Sequence, residues 1–148
     1  MPEGPGAVSR TIIAIDPGRD KCGAAVLDYS GRVLMLEITD VKDLWDRLAF
    51  FKLKFPQTDR VVVGRGTGKE RVLSCLGHSA VKDLPINLVD ETNTTMAARA
   101  RYFDAHPPRG LMRLVPRGLR VPPRPVDDFA AVIIAERFLE ELADSTNG

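Results

Sequence analysis

The sequence predicts a mixed α/β fold: a five-stranded sheet, three antiparallel strands and then parallel ones, flanked by helices on both faces. Three observations predict it. Three short apolar runs near the start are joined by turns too short to hold a helix, so they pair as an antiparallel meander. After residue 40, strand-like and helix-like runs alternate, the pattern of crossovers between parallel strands. The 148 residues, 44% apolar and 28% charged, suit a single globular domain.

Thr11–Ile15 reads as a buried strand ending at Asp16, with turn chemistry in Pro17-Gly18. Cys22–Leu27 is a second strand of small and β-branched residues. Asp28-Tyr-Ser-Gly31 is a hairpin turn and Val33–Ile38 a third strand. Asp40 suits a helix N-cap. Leu44, Leu48, Phe51 and Phe55 then recur at helical spacing and stop before Pro56, with Trp45 and Phe50 on the same sheet-covering helix. Arg60–Gly64 is a fourth strand. A helix is expected over Lys69–Val81, weakened by Gly77. Ile86–Glu91 is a fifth strand and Thr92–Phe103 a helix. The segment 104–125 is too rich in proline for regular structure and longer than a routine connection. The last helix spans Asp127–Ala143. One domain therefore covers 11–143, with a flexible N-terminus at 1–10, an Arg/Pro-rich loop at 104–125 and a C-terminal tail at 144–148.

The net charge of +1 conceals a segregation. Residues 1–98 carry 13 basic and 13 acidic side chains; 99–125 carry seven arginines and one acid, Asp104; 126–148 carry Arg137 against six acids. A near-neutral average therefore excludes no class of partner. The longest apolar run, Phe129–Ala135, is far short of the roughly 18 residues of a membrane span. Met1–Arg10 does not read as a signal peptide, so the expected compartment is the cytoplasm. There, Cys22 and Cys75 are expected as reduced thiols.

Acids recur where an open α/β sheet binds ligands, at strand ends. Asp16 ends the first strand and Asp90-Glu91 the fifth. Asp127 and Asp128 begin the last helix, where Asp127 heads a stripe with Ala131, Ile134 and Phe138. Taken singly, each has a structural role available: a turn cap at Asp16, a cap before the next helix at Asp90 or Glu91, a favourable first-turn charge at Asp127 or Asp128. Taken together on one sheet edge they repel, unless a cation holds them. Oxygen ligands suit Mg²⁺ or Mn²⁺. Two such ions clamp the attacking and leaving oxygens of a phosphodiester.

Three segments carry a resemblance. Asp16-Pro-Gly18-Arg-Asp-Lys21-Cys-Gly23-Ala-Ala25 resembles the D-x-G-x-x-R-x-G-x-A opening of the YqgF/RuvX nucleases, with Lys21 at the basic position. These belong to the RNase H-like superfamily, which includes the RuvC Holliday junction resolvases. Asp90-Glu91-Thr92-Asn93-Thr94-Thr95 resembles that family's D-E-R-L-T-T segment. Asp127-Asp128-Phe129-Ala130-Ala131 resembles its closing D-x-x-A-A helix. The resemblance spans most of 11–142. It implies an RNase H-like fold and a metal-dependent phosphodiesterase acting on structured RNA or branched DNA. In bacterial relatives the implied task is maturation of the pre-16S rRNA 5′ end or resolvase-like cutting. By position, Asp16, Glu91 and Asp127 would be catalytic metal ligands, with Asp128 a further carboxylate. Asp90 is expected to point away, because successive strand residues alternate. The chain departs from the family at Thr92, where the pattern has arginine, and at Gly64-Arg65-Gly66-Thr67-Gly68, where it has G-x-P. Those departures motivate an alternative, a catalytically inactive nucleic-acid-binding module on the same fold.

Gly64–Glu70 imitates a phosphate loop but fails the tests. Val63 and Glu70 break a Walker A motif, and Lys69 occupies the third glycine of a dinucleotide fingerprint. The same loop, with Lys21, Arg65 and Lys69, is a candidate phosphate contact; its other reading is a plain strand-to-helix turn. Arg109, Arg113, Arg117, Arg120 and Arg124 punctuate the proline-rich loop just before the acidic helix, where guanidinium groups would meet phosphates. His78 and His106 read as surface or cap residues. A homodimer is compatible with all of this, and membrane association is not expected.

Overall fold

The structure, a computed structural model, describes residues 10–108, 110–116, 119–122 and 126–147. The meander is β1 (Thr11–Asp16), β2 (Lys21–Asp28) and β3 (Val33–Asp40). A 3-10 turn at Val41–Asp43 leads into α1 (Leu44–Lys54). Then come β4 (Thr58–Gly64), α2 (Lys69–Gly77), β5 (Ile86–Val89), α3 (Thr94–Ala105) and α4 (Asp127–Asn147).

The sheet order is β3-β2-β1-β4-β5. β1 pairs antiparallel with β2, and parallel with β4, which pairs parallel with β5. This is the mixed sheet the sequence predicts. Its consequence for function is directional. The C-terminal ends of β1, β4 and β5 reach one edge, and β2 starts there, with Gly23 opposite Asp16.

Strand alternation divides β1 between two cores. Ile13 and Ile15 face α1 and α2, packing with Leu44, Leu48, Phe51, Val72 and Leu76. Ile12 and Ala14 face α4, packing with Ala131, Ile134, Ala135 and Phe138. The stripe headed by Asp127 therefore lies on the sheet as expected. α3 packs on α4 through Ala98, Tyr102, Phe129 and Ala130. Deleting a large side chain such as Leu48 from these cores costs about 2–5 kcal/mol.

Several boundaries differ from the sequence reading. α2 ends at Gly77, not Val81. His78 closes it with its N–H on the Cys75 carbonyl, and the Ser79 hydroxyl bonds the Leu76 carbonyl. Val81 still enters the core, but from a turn. β5 stops at Val89, because Asp90 turns its carboxylate back onto the Thr92 N–H and hydroxyl. α3 accordingly starts at Thr94, not Thr92. α4 runs to Asn147, through most of the segment read as a tail. Within 104–125, Gly110–Leu114 forms a 3-10 turn where no regular structure was expected. Asp40 precedes a 3-10 turn and makes no side-chain cap bond. Trp45 and Phe50 lie on α1 but on its outer side, 57% and 40% exposed. His78 and His106 do cap helices, α2 and α3. The N-terminal segment, apart from Arg10, lies outside the described residues. Among the described residues no helix is long and apolar enough to cross a membrane.

Candidate active site

Asp16 is the last residue of β1, just past the buried Ile12–Ile15 run. Its carboxyl group meets that of Glu91. Glu91 lies two residues beyond β5, in a segment fixed from several directions. Arg65 extends the ladder with its N–H on the Val89 carbonyl at 3.0 Å. The Thr94 hydroxyl and N–H both bond the Glu91 carbonyl, at 2.9 and 3.0 Å. Arg137 of α4 donates to the Asp90 carbonyl at 2.9 Å. Asp90 itself is exposed. It does point away, but through this turn rather than through strand alternation.

The glycines after β4 have a use the sequence reading missed. A Cβ at Gly64 or Gly66 would run into the Glu91 carboxylate oxygens. The loop is therefore not a slack turn: Gly64 and Gly66 make a seat for the Glu91 carboxylate. Gly68, at φ 88°, packs on the Gly18 carbonyl and ties the same loop to the turn after Asp16. A glycine cluster directly after a buried strand is the signal that pointed here, read as close packing rather than as anion binding.

The third acid arrives on α4. A Cβ at Gly23 would strike the Asp127 carbonyl and the Asp128 N–H, so the first turn of α4 rests directly on β2. Asp127 is half-buried and feels the charges of Asp128 and Lys21. Asp128 is buried, with its Oδ1 accepting the Phe129 N–H at 2.9 Å.

The electrostatics follow from crowding. Asp16 is pushed up to about 8, first by burial, then by its hydrogen bond to Glu91 and that group's charge, then by the charge of Asp127. Burial and the neighbouring Asp128 raise Asp127, and Lys21 opposes them. Burial, then the charge of Asp16, drives the Cys22 thiol up to about 12 and keeps it inert. As two carboxylates, Asp16 and Glu91 offer only acceptors to each other. Glu91 Oε1 is buried with no hydrogen-bond partner among the described residues. A proton or a cation must fill such a contact. The donors are all hard oxygens, which fits Mg²⁺ or Mn²⁺. Among the described residues, however, no three His, Cys, Asp or Glu side chains already form a group able to hold a metal ion. Asp16 and Glu91 meet; Asp127 stands within electrostatic reach of Asp16.

The cationic candidates are more dispersed. Lys21 and Arg65 are exposed at the same edge. Lys69, at the start of α2, pairs loosely with its neighbour Glu70 at 3.8 Å. Arg113 is exposed. Arg120 turns inward on its own loop, donating to the Val115 carbonyl at 2.9 Å and the Arg113 carbonyl at 3.4 Å. Arg109, Arg117 and Arg124 lie outside the described residues.

No family model and no curated protein matches the chain. Solved structures do. The RuvC of T. thermophilus in complex with a Holliday junction substrate superposes with a TM-score of 0.57 at 19% identity, covering 93% of this chain and 96% of that one. A second Thermus thermophilus RuvC structure gives 0.55 at 20%, covering 84% and 90%. The Fowlpox virus resolvase with Holliday junction DNA gives 0.57 at 13%, covering 89% and 98%. At such identities the likeness is one of fold, and that fold is RNase H-like.

Proposed function

We propose that this chain is a divergent YqgF/RuvX-like nuclease, a divalent-metal phosphodiesterase acting on structured nucleic acid. Its substrate would be a pre-16S rRNA 5′ end or a branched, Holliday-junction-like DNA. One observation carries the reading: two carboxyl groups in contact at the C-terminal edge of an RNase H-like sheet, with a buried oxygen that has no partner.

In this mechanism Asp16, Glu91 and Asp127 would hold the metal, with Asp128 a further carboxylate. Bound Mg²⁺ or Mn²⁺ would supply a water of lowered pKa and neutralise charge on the phosphodiester. The chain's own residues do the remainder. Gly64 and Gly66 seat Glu91 against Asp16. Gly23 lets α4 bring Asp127 to the same edge. Burial and the Glu91 carboxyl raise Asp16 above the usual carboxylate range, so the contact between the two groups favours a shared proton until a cation replaces it. Lys21 and Arg65 at the edge, Lys69 on α2, and Arg113, Arg117 and Arg124 on the loop would meet backbone phosphates. Arg120, besides its candidate phosphate contact, braces that loop.

Mg²⁺- or Mn²⁺-dependent cleavage of structured RNA and branched DNA tests the reading, with Asp16→Asn as the control. Loss of cleavage in the variant is expected; equal activity would sink the proposal. The second reading, an inactive binding module, draws on Thr92 and on the incomplete three-acid group. It predicts salt-sensitive binding with no cleavage at any metal concentration.

A further inference from the structure

On the α1–α2 side of the same sheet edge lies an open groove of about 780 Å³, lined in part by Lys42, Trp45, Glu70, Arg71, Ser74 and His78. We propose that it is a binding subsite for an unpaired nucleotide, with the base stacked on Trp45 and the adjoining phosphate held by Lys42 and Arg71.

The chemistry of the lining points to that ligand. Trp45 is the chain's single tryptophan and is 57% exposed, an expensive side chain to leave in water. Its indole takes no part in the aromatic and cation–π contacts that occupy Phe50 and Phe51 among the described residues. Arg71, Ser74 and His78 recur along one exposed face of α2 and form the opposite wall. Two cations for a phosphate, a flat aromatic for a base, and the Glu70 carboxylate as an acceptor for base N–H groups make a nucleotide-shaped set. An apolar peptide would leave Lys42 and Arg71 unmatched.

The groove is also joined to the acidic site. Arg71 donates to the Arg19 carbonyl at 2.8 Å, and the Asp20 carbonyl accepts the Val41 N–H at 2.9 Å. The turn after Asp16 is thus one side's lip and the other side's anchor. Four residue steps from Asp16 to Asp20 span at most about 14 Å, within the reach of a short oligonucleotide. A strand that leaves the carboxylates and passes over this turn to the α1–α2 side would present a base to Trp45, provided that base is unpaired. This narrows the substrate proposed above to nucleic acid with a single-stranded stretch beside the scissile bond, and it rests on that reading for its direction along the edge.

Trp45 reports on the subsite directly, because no other tryptophan contributes to the emission. The 148-residue chain is titrated in EDTA with oligo-dT, oligo-U and a blunt duplex of matched length. Saturable quenching by the single strands but not the duplex is expected. Trp45→Ala should weaken single-strand binding about tenfold, measured by anisotropy of a labelled strand, with Trp45→Phe restoring most of it. The thermal melt of Trp45→Ala should match the parent, since the side chain is exposed. Absence of quenching, equal quenching by the duplex, or unchanged affinity in Trp45→Ala would overturn the subsite. The two proposals separate cleanly. Asp16→Asn should lose cleavage and keep the Trp45 quenching, whereas cleavage with a silent Trp45 rejects the subsite alone.

Discussion

A carboxyl group that keeps its proton to about pH 8 when folded, but loses it near 3.8 when unfolded, makes stability fall as pH rises between those values. Over that window the native state binds the extra proton, so the slope of unfolding free energy is negative, at most about 1.4 kcal/mol per pH unit for one proton. Asp16 is that group. Thermal melts in EDTA should therefore give a lower Tm at pH 8 than at pH 5, and Asp16→Asn should flatten this contribution. A cation replaces the proton, so the Tm gain from Mg²⁺ should grow toward pH 8. A Mg²⁺ effect independent of pH would contradict the Asp16–Glu91 assignment. The acids themselves were legible in the sequence because strand ends and a helix start can be located from hydrophobic pattern. Their pairing was not. Glu91 meets Asp16 only because Gly64 and Gly66 leave room for it, a fact of three-dimensional packing that a glycine-rich string does not distinguish from phosphate binding.

The elements were legible where burial is continuous and less so where a polar side chain decides the end. β1 is apolar from Ile12 to Ile15, and that run alone marks it as a buried strand. The end of β5 depends on one Asp90–Thr92 turn, and the end of α2 on Ser79 and His78, while a buried Val81 prolonged the helical pattern beyond the helix. The junction of α4 with β2 gives the sharpest test at this scale. Gly23→Ala places a methyl against the Asp127 carbonyl, which is backbone and cannot swing aside. It should cost about 1–3 kcal/mol in urea denaturation, as overpacking does, and should lower cleavage by displacing Asp127. Gly77→Ala is the matched control. Nothing lies within 4 Å of its added Cβ, and it sits in the last turn of α2. That variant should be neutral or stabilised by up to about 1 kcal/mol, with cleavage unchanged.

Across the whole molecule, the net charge of +1 is the sum of an arginine-rich loop and an acidic last helix. The helix explains half of this by position. Asp127 and Asp128 sit at its sheet-side start, Glu136 pairs with Arg101 of α3 at 2.8 Å, and Glu140, Glu141 and Asp144 face outward. Two of the loop's described arginines, Arg113 and Arg120, are placed differently, and that difference is measurable. Each arginine that meets a phosphate releases condensed counterions, which adds about 0.9 to the slope of log affinity against log salt on duplex and about 0.7 on single strands. Arg113 is exposed with its side chain toward solvent, so Arg113→Gln should reduce the slope by about that amount while leaving the melting temperature unchanged. Arg120 bonds the carbonyls of Val115 and Arg113, so Arg120→Gln should loosen the 3-10 turn at Gly110–Leu114 and raise the proteolytic sensitivity of the loop. With its guanidinium turned onto the Val115 and Arg113 carbonyls, Arg120→Gln should lower the salt slope less than Arg113→Gln does; an equal reduction would show that Arg120 leaves those carbonyls for phosphate on binding.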